Sequence, residues 1–272
     1  MSGAHLADLS APAYAIEVEG LAFAYPDGRQ ALFGVDTRIG NGERVALLGP
    51  NGSGKTTFVL HLAGILGSVA GGIGAGTIRV TGLDMTRGNL GDIRSAVGLV
   101  FQDPDDQLFM PTVRADVAFG PANQGLSGAA LDARVIEALD AVGMTEQADR
   151  PPHHLSFGQR RRVALACVLA MHPQVLVLDE PSSNLDPLAR RELAEILESL
   201  DVTILLVTHD LPYALQLCER SLLLDSGRIV ADGPTRDLLA DTELMAAHRL
   251  ELPYGFDPLS VLGPQAHRGI GR

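Results

Sequence analysis

The sequence predicts an α/β chain: a mostly parallel sheet covered by helices, with an N-terminal antiparallel β subdomain and an inserted helical lobe. Two observations carry this. Short runs of Val, Leu and Ile recur without the polar alternation of half-exposed strands, as in strands buried on both faces. Segments with helical spacing lie between those runs, so strand and helix alternate.

Ala15–Ala24 alternates loosely and is followed by Tyr25-Pro-Asp-Gly28, a turn signal, which makes Ala31–Ile39 its expected antiparallel partner. Arg44–Leu48 is the first core strand and Lys55–Leu66 the first helix. Gly67–Gly76, GSVAGGIGAG, reads as a flexible connector. Gly98–Phe101 is the second core strand. The residues from about 103 to 160 are mainly helical with Pro and Gly breaks, including Leu131–Val142, and form the expected lobe. Phe157–Met171 and Ala189–Leu200 are expected helices; Val175–Leu178, Val202–Val207 and Ser221–Leu224 are the remaining core strands. Beyond Leu252 the chain is rich in Pro and Gly. The expected domain spans 14–245, with 1–13 a flexible N-terminal tail and 246–272 a C-terminal tail.

Composition narrows the function. The formal net charge of −12 over 272 residues argues against a nucleic-acid surface and against a polybasic membrane surface. The two cysteines, Cys167 and Cys218, lack metal-ligand spacing and point to a reducing compartment. The N-terminal residues lack a basic region and an apolar stretch, so no secretory signal is expected. Nor does any window reach the roughly 18 apolar residues of a membrane span.

Gly49-Pro50-Asn51-Gly52-Ser53-Gly54-Lys55-Thr56 matches G-x-x-x-x-G-K-[ST] between an expected strand and an expected helix, the setting of a phosphate loop. Its glycines let backbone N–H groups turn toward phosphate oxygens at a helix start. Lys55 reaches toward the β- and γ-phosphates, Thr56 toward Mg²⁺, and Thr57 extends the nucleotide-binding stretch.

Ligands of open α/β sheets bind beyond the carboxyl ends of the strands. The expected core strands end in the phosphate loop, Gln102, Asp179-Glu180 and Thr208-His209. A lysine, an amide, two carboxylates and an imidazole around a nucleotide make an ATP hydrolysis site. Asp179 suits Mg²⁺, Glu180 suits a general base, Gln102 suits contact with metal and water, and His209 suits a hold on the γ-phosphate. A histidine at a strand end is ordinary alone; the joint arrangement carries the reading.

With these motifs in order, the chain resembles the nucleotide-binding subunit of an ABC transporter, a P-loop NTPase core, over about Ala15 to Leu239. Leu155-Ser156-Phe157-Gly158-Gln159 resembles the signature LSGGQ, and Pro181-Ser-Ser-Asn-Leu-Asp186 the segment that follows the Walker B strand. Tyr25 matches the adenine-stacking aromatic. The resemblance implies that Ser156, Gly158 and Gln159 contact ATP held by a second subunit, giving a homodimer with two nucleotides between the chains. Ser156-x-x-Gln159 is also a capping box, and a capped helix start still offers N–H groups to phosphate. Phe157 departs from the family's glycine, so the backbone there must be an ordinary one.

FQDPDDQLF (101–109), the following PTVRADVAFGP (111–121) and Pro152-His-His-Leu-Ser resemble the energy-coupling-factor type, especially its cobalt/nickel branch. That resemblance implies a transmembrane coupling (T) component docking near Asp103, Asp105, Asp106 and Phe109. Arginines of the T component would pair with the acids, and Phe101, Leu108 and Phe109 would form an apolar groove. It also implies a separate substrate-binding membrane component. The expected function is ATP-driven import of cobalt or nickel, from a peripheral position on the cytoplasmic side of the membrane. A vitamin importer using the same machinery, biotin for example, and a soluble non-transport ABC ATPase are the alternatives. Arg160–Arg162 reads as a charged helix face or an interface between lobes rather than a nucleic-acid site. His153-His154 precedes a helix cap and does not make a metal site on its own.

Overall fold

The computed structural model describes residues 13–66 and 73–261. β1 (Tyr14–Ala24) and β2 (Gln30–Gly40) form the expected antiparallel pair. β3 (Arg44–Leu48) runs into the phosphate loop and α1 (Lys55–Leu62), shorter at its end than the apolar pattern indicated. β4 (Ile73–Val80) and β5 (Leu83–Asp84) complete a sheet of order β2-β1-β4-β5.

The connector expectation is corrected here. Residues 67–72 lie outside the described residues, as do 1–12 of the N-terminal tail and 262–272 at the other end. Residues 73–76 belong to β4, and 73–75 pair with β1. Gly76 has φ +90° and lies beside a register shift in β1, where an added Cβ would stand 2.5 Å from the Glu19 carbonyl oxygen. Glycine is needed there for close approach of two backbones at a bulge, not for flexibility.

After α2 (Leu90–Ala96) the chain forms β6 (Val97–Val100), then the lobe helices α3 (Val113–Asn123) and α4 (Gly128–Ala141), and α5 (Phe157–Leu169). It continues as β7 (Val175–Asp179), α6 (Pro187–Ser199), β8 (Thr203–Val207), α7 (Leu211–Leu217), β9 (Arg220–Asp225), β10 (Arg228–Pro234), α8 (Thr235–Ala240) and α9 (Thr242–Ala247). The main sheet has the order β10-β9-β3-β8-β7-β6. β9, β3, β8, β7 and β6 are parallel, and β10 is an antiparallel edge strand.

The lack of alternation in the core strands has a direct cause. Ala46, Leu48, Leu176, Leu178, Ile204 and Leu206 face one core with the lobe and α5–α7. Val45, Leu47, Val175, Val177, Leu205 and Val207 face a second core with α1 and the antiparallel sheet. Successive side chains point to opposite faces, and both faces are covered. After α9 the chain stays attached: Leu250, Leu252, Phe256 and Val261 pack against the first core, and the Arg236 guanidinium donates to the Val261 carbonyl.

Candidate functional site

Parallel pairing of β3, β8, β7 and β6 brings their carboxyl ends to one rim. There a cavity of about 340 Å³ is lined by Asn51, Gly52, Gly54, Lys55, Thr56 and Thr57 of the phosphate loop and by Gln102, Asp179, Glu180 and His209 from the strand ends. Tyr25 and Arg29 close it from the turn between β1 and β2. The sequence had placed all of these but Arg29.

Gly49, Pro50 and Ser53 shape the loop without lining the cavity. Gly49 has φ +149°, and a Cβ there would fall 2.0 Å from the Leu224 carbonyl oxygen, so the loop can lie this close to β9 only with glycine. Lys55 is buried, and its ammonium donates to the carbonyls of Gly49 (2.7 Å) and Pro50 (3.0 Å), which holds it at the loop's centre. Burial lowers its pKa, partly opposed by the charges of Glu180 and Asp179. Burial and then the neighbouring Glu180 raise the pKa of Asp179, with Lys55 and Arg161 pulling the other way. Two carboxylates thus share a half-dry corner with the Lys55 ammonium, and the Arg161 guanidinium also acts on Asp179. Thr56, Gln102 and Asp179 supply oxygen donors suited to a hard cation.

Glu180 follows β7 with φ +47°, a left-handed backbone conformation unusual for a non-glycine residue. Its Oε2 lies 2.8 Å from His209 Nδ1 and accepts longer bonds of 3.3 Å from the Thr208 hydroxyl and the His209 N–H. The carboxylate is buried, whereas the imidazole is largely exposed, side-chain accessibility being 65%. The strained turn brings a carboxylate to the rim, and the two residues that follow β8, Thr208 and His209, supply the groups that hold it. Tyr25 Oη shares a 2.8 Å hydrogen bond with Thr57 Oγ1, and Arg29 sits over its ring at 4.8 Å from the centroid.

Ser156, Gly158 and Gln159 do not line this cavity. Ser156 caps α5: its hydroxyl accepts from the Gln159 N–H (3.2 Å), while the Gln159 side-chain oxygen accepts from the Ser156 N–H (3.0 Å). Both arms of the capping box are therefore made. Gly158 faces α6, where an added Cβ would meet Ala189 Cβ at 2.9 Å. Phe157 is helical, with no positive φ.

The acidic segment is more self-contained than its sequence indicates. Asp103 Oδ1 accepts from the Asp105 N–H (2.9 Å), capping a 3-10 turn over Pro104–Asp106. No cation flanks these acids in sequence, yet Asp105 Oδ1 lies 2.8 Å from Arg160 Nε, from α5. Leu108 packs partly into the first core. The exposed apolar element is instead Phe109, 65% accessible, stacked edge-on against Phe119 with centroids 5.0 Å apart. Buried Asp116 accepts from the N–H groups of Phe109 (3.0 Å) and Met110 (2.9 Å) and so fixes that loop.

Sequence reasoning missed two further groups. Asp210 accepts from Ser182 Oγ (3.2 Å), Arg190 (2.9 Å) and the Tyr213 N–H (3.0 Å), joining the chain beyond His209 to the segment after Glu180. Its signal was an acidic N-cap three residues before Tyr213. Arg161 is 1% exposed and donates to the carbonyls of Phe101 (2.8 Å) and Gln102 (2.6 Å).

Residues 32–183 match the family described as ABC transporter. A protein of Streptomyces avermitilis, provisionally named an ABC transporter ATP-binding protein, is 70% identical over 94% of this chain and 95% of its own length. The energy-coupling factor transporter ATP-binding protein EcfA of Methanothermobacter thermautotrophicus is 45% identical over 91% of this chain and 79% of its own. Among solved structures, cbiO1 from Clostridium perfringens, described as part of the ABC transporter complex cbiONQ, superposes with TM-score 0.76. It is 37% identical and covers 89% of this chain and 97% of that one.

Proposed function

The chain belongs to the ABC transporter family as an ATP-hydrolysing subunit of the energy-coupling-factor type, and from that premise we propose that it drives import of cobalt or nickel ions by ATP-driven closure of a homodimer. The observation that carries the chemistry is the gathering of Lys55, Gln102, Asp179, Glu180 and His209 around one cavity. Lys55 gives up its loop carbonyls to hold the β- and γ-phosphates. Glu180, steadied by Thr208 and His209, takes the proton of the attacking water, and His209 holds the γ-phosphate. Tyr25 lies beside the adenine. Thr56, Gln102 and Asp179 fit Mg²⁺, whose charge would offset the burial of Asp179; when bound, it neutralises charge on the phosphate oxygens.

The helix start at Ser156, with Gly158 and Gln159, lies away from the chain's own cavity and is assigned to the nucleotide of a second copy. Among the described residues no helix is long and apolar enough to cross a membrane, so transport requires membrane partners: a T component and a substrate-binding component. The T component is assigned to Asp103, Asp106 and the Phe109–Phe119 pair, with Asp105 already engaged by Arg160.

Reconstitution with those two membrane components tests this. Radiolabelled cobalt or nickel should accumulate only with ATP. Asp103→Lys with Asp106→Lys and Phe109→Ser should release the chain from the complex while leaving its ATP binding intact. Biotin accumulation without metal uptake would replace the metal reading with the vitamin one. Full attachment of the triple variant would overturn the docking site.

A further inference from the structure

Phe157 stands where the family signature has glycine, and the ATP site gives it no task. Its ring lies beside two guanidiniums, Arg160 at 5.7 Å and Arg161 at 5.4 Å from the centroid. Both fall within the range of cation–ring attraction, at the i+3 and i+4 spacings that put side chains on one helix face.

Each of these arginines reaches the segment that begins at Gln102. Arg161, buried, donates one amino group to the Phe101 carbonyl (2.8 Å) and the other to the Gln102 carbonyl (2.6 Å). Arg160 donates to the Leu155 carbonyl (2.8 Å) and pairs through Nε with Asp105 (2.8 Å). One turn further along α5, the Ala164 carbonyl accepts from Gln107 Nε2 (2.7 Å). Gln102 itself is exposed, so its position at the cavity rim is set through its backbone, and Arg161 holds that backbone. A planar guanidinium serves two carbonyls at once in a fixed geometry, which an ammonium does not reproduce.

We propose that Phe157, Arg160 and Arg161 form a side-chain relay from the helix start at Ser156 to the Gln102–Asp106 segment, with Arg161 the positioning residue that sets where Gln102 stands at the cavity rim. The proposal rests on the assignment of Gln102 to the chain's own ATP site and of Ser156 to the nucleotide of a second copy. A second chain pressing on the helix start then moves the same body that carries Gln102 and the acidic docking turn. Phe157 keeps the two arginines side by side, which is a use for an aromatic at this position that glycine cannot serve.

ATP turnover and binding of a fluorescent ATP analogue by the full chain test the relay. Arg161→Lys should lower kcat by about 10- to 100-fold, the scale of a misplaced active-site group, with KM and analogue affinity little changed. Phe157→Leu should lower kcat several-fold, and Phe157→Tyr should restore it. In the double variant Arg161→Lys/Phe157→Leu the losses should not multiply, because both act through one path. Wild-type kcat in Arg161→Lys, or independent multiplication of the two losses, would overturn the relay. If the Arg161 variant does not fold, the Phe157 pair decides alone: equal rates in Leu and Tyr variants refute it. Glu180→Gln run alongside separates the two readings. Wild-type turnover in that variant would remove the ATP-site assignment itself, whatever Arg161 does.

Discussion

Asp179 and Glu180 are adjacent acids with different surroundings, and that difference is the site's chemistry. Glu180 is braced by a hydroxyl, an N–H and an imidazole. Asp179 has a raised pKa from burial and from Glu180. Such a carboxylate costs stability while it is ionised in the fold. The cost is fully present above its raised folded pKa and fades as pH falls toward the unfolded value of about 3.9, below which both states are protonated. Asp179→Asn should therefore raise the Tm of the nucleotide-free chain at neutral pH, and the gain should shrink to nothing near pH 4. Thermal melts across that range check it; a gain that grows on acidification would contradict the assignment. Most of these residues were legible because each ends an apolar strand run. Arg29 and Arg161 were not, since a turn arginine and one member of an Arg-Arg-Arg run look the same in sequence whether solvated or buried.

At the scale of single elements, local chemistry was the most legible layer. The capping box at Ser156 is made as its spacing predicted, and helix starts at Thr112, Asp186 and Asp210 are capped by their own side chains. The misreading of β4 has an equally local cause. Its glycines permit backbone approach at a bulge, and the same residue type signals a linker when no partner strand is visible. The cap at Ser156 can be separated from its assigned phosphate contact. Ser156→Ala should lower stability by about 0.5–2 kcal/mol. Ser156→Asp caps as well as serine and favours the positive helix end, but places a carboxylate where phosphate should sit. That variant should melt at or above the wild-type temperature and lose most of its turnover. Wild-type turnover in Ser156→Asp would leave α5 capped but without a nucleotide.

In the whole molecule, sheet order converts sequence motifs into a site. The order β10-β9-β3-β8-β7-β6 places β3 between strands that lie far later in the chain. No run of residues encodes that order; it emerges from parallel pairing with both faces buried. The Arg160–Asp105 and Arg161–Gln102 contacts bridge segments more than fifty residues apart and carry no periodic signal. Through them the cavity rim, the acidic turn over Pro104–Asp106 and α5 are tied together, and the exposed Phe109–Phe119 pair lies on the surface nearby in the chain. The account stands or falls on the rim being a hydrolytic ATP site. Glu180→Gln, measured for ATP binding and for turnover in one preparation, tests that most directly. ATP should bind at wild-type occupancy and hold the chains as a closed dimer, with turnover down by about 100-fold or more, the contribution of a general base. Hydrolysis at the wild-type rate in that variant would contradict it.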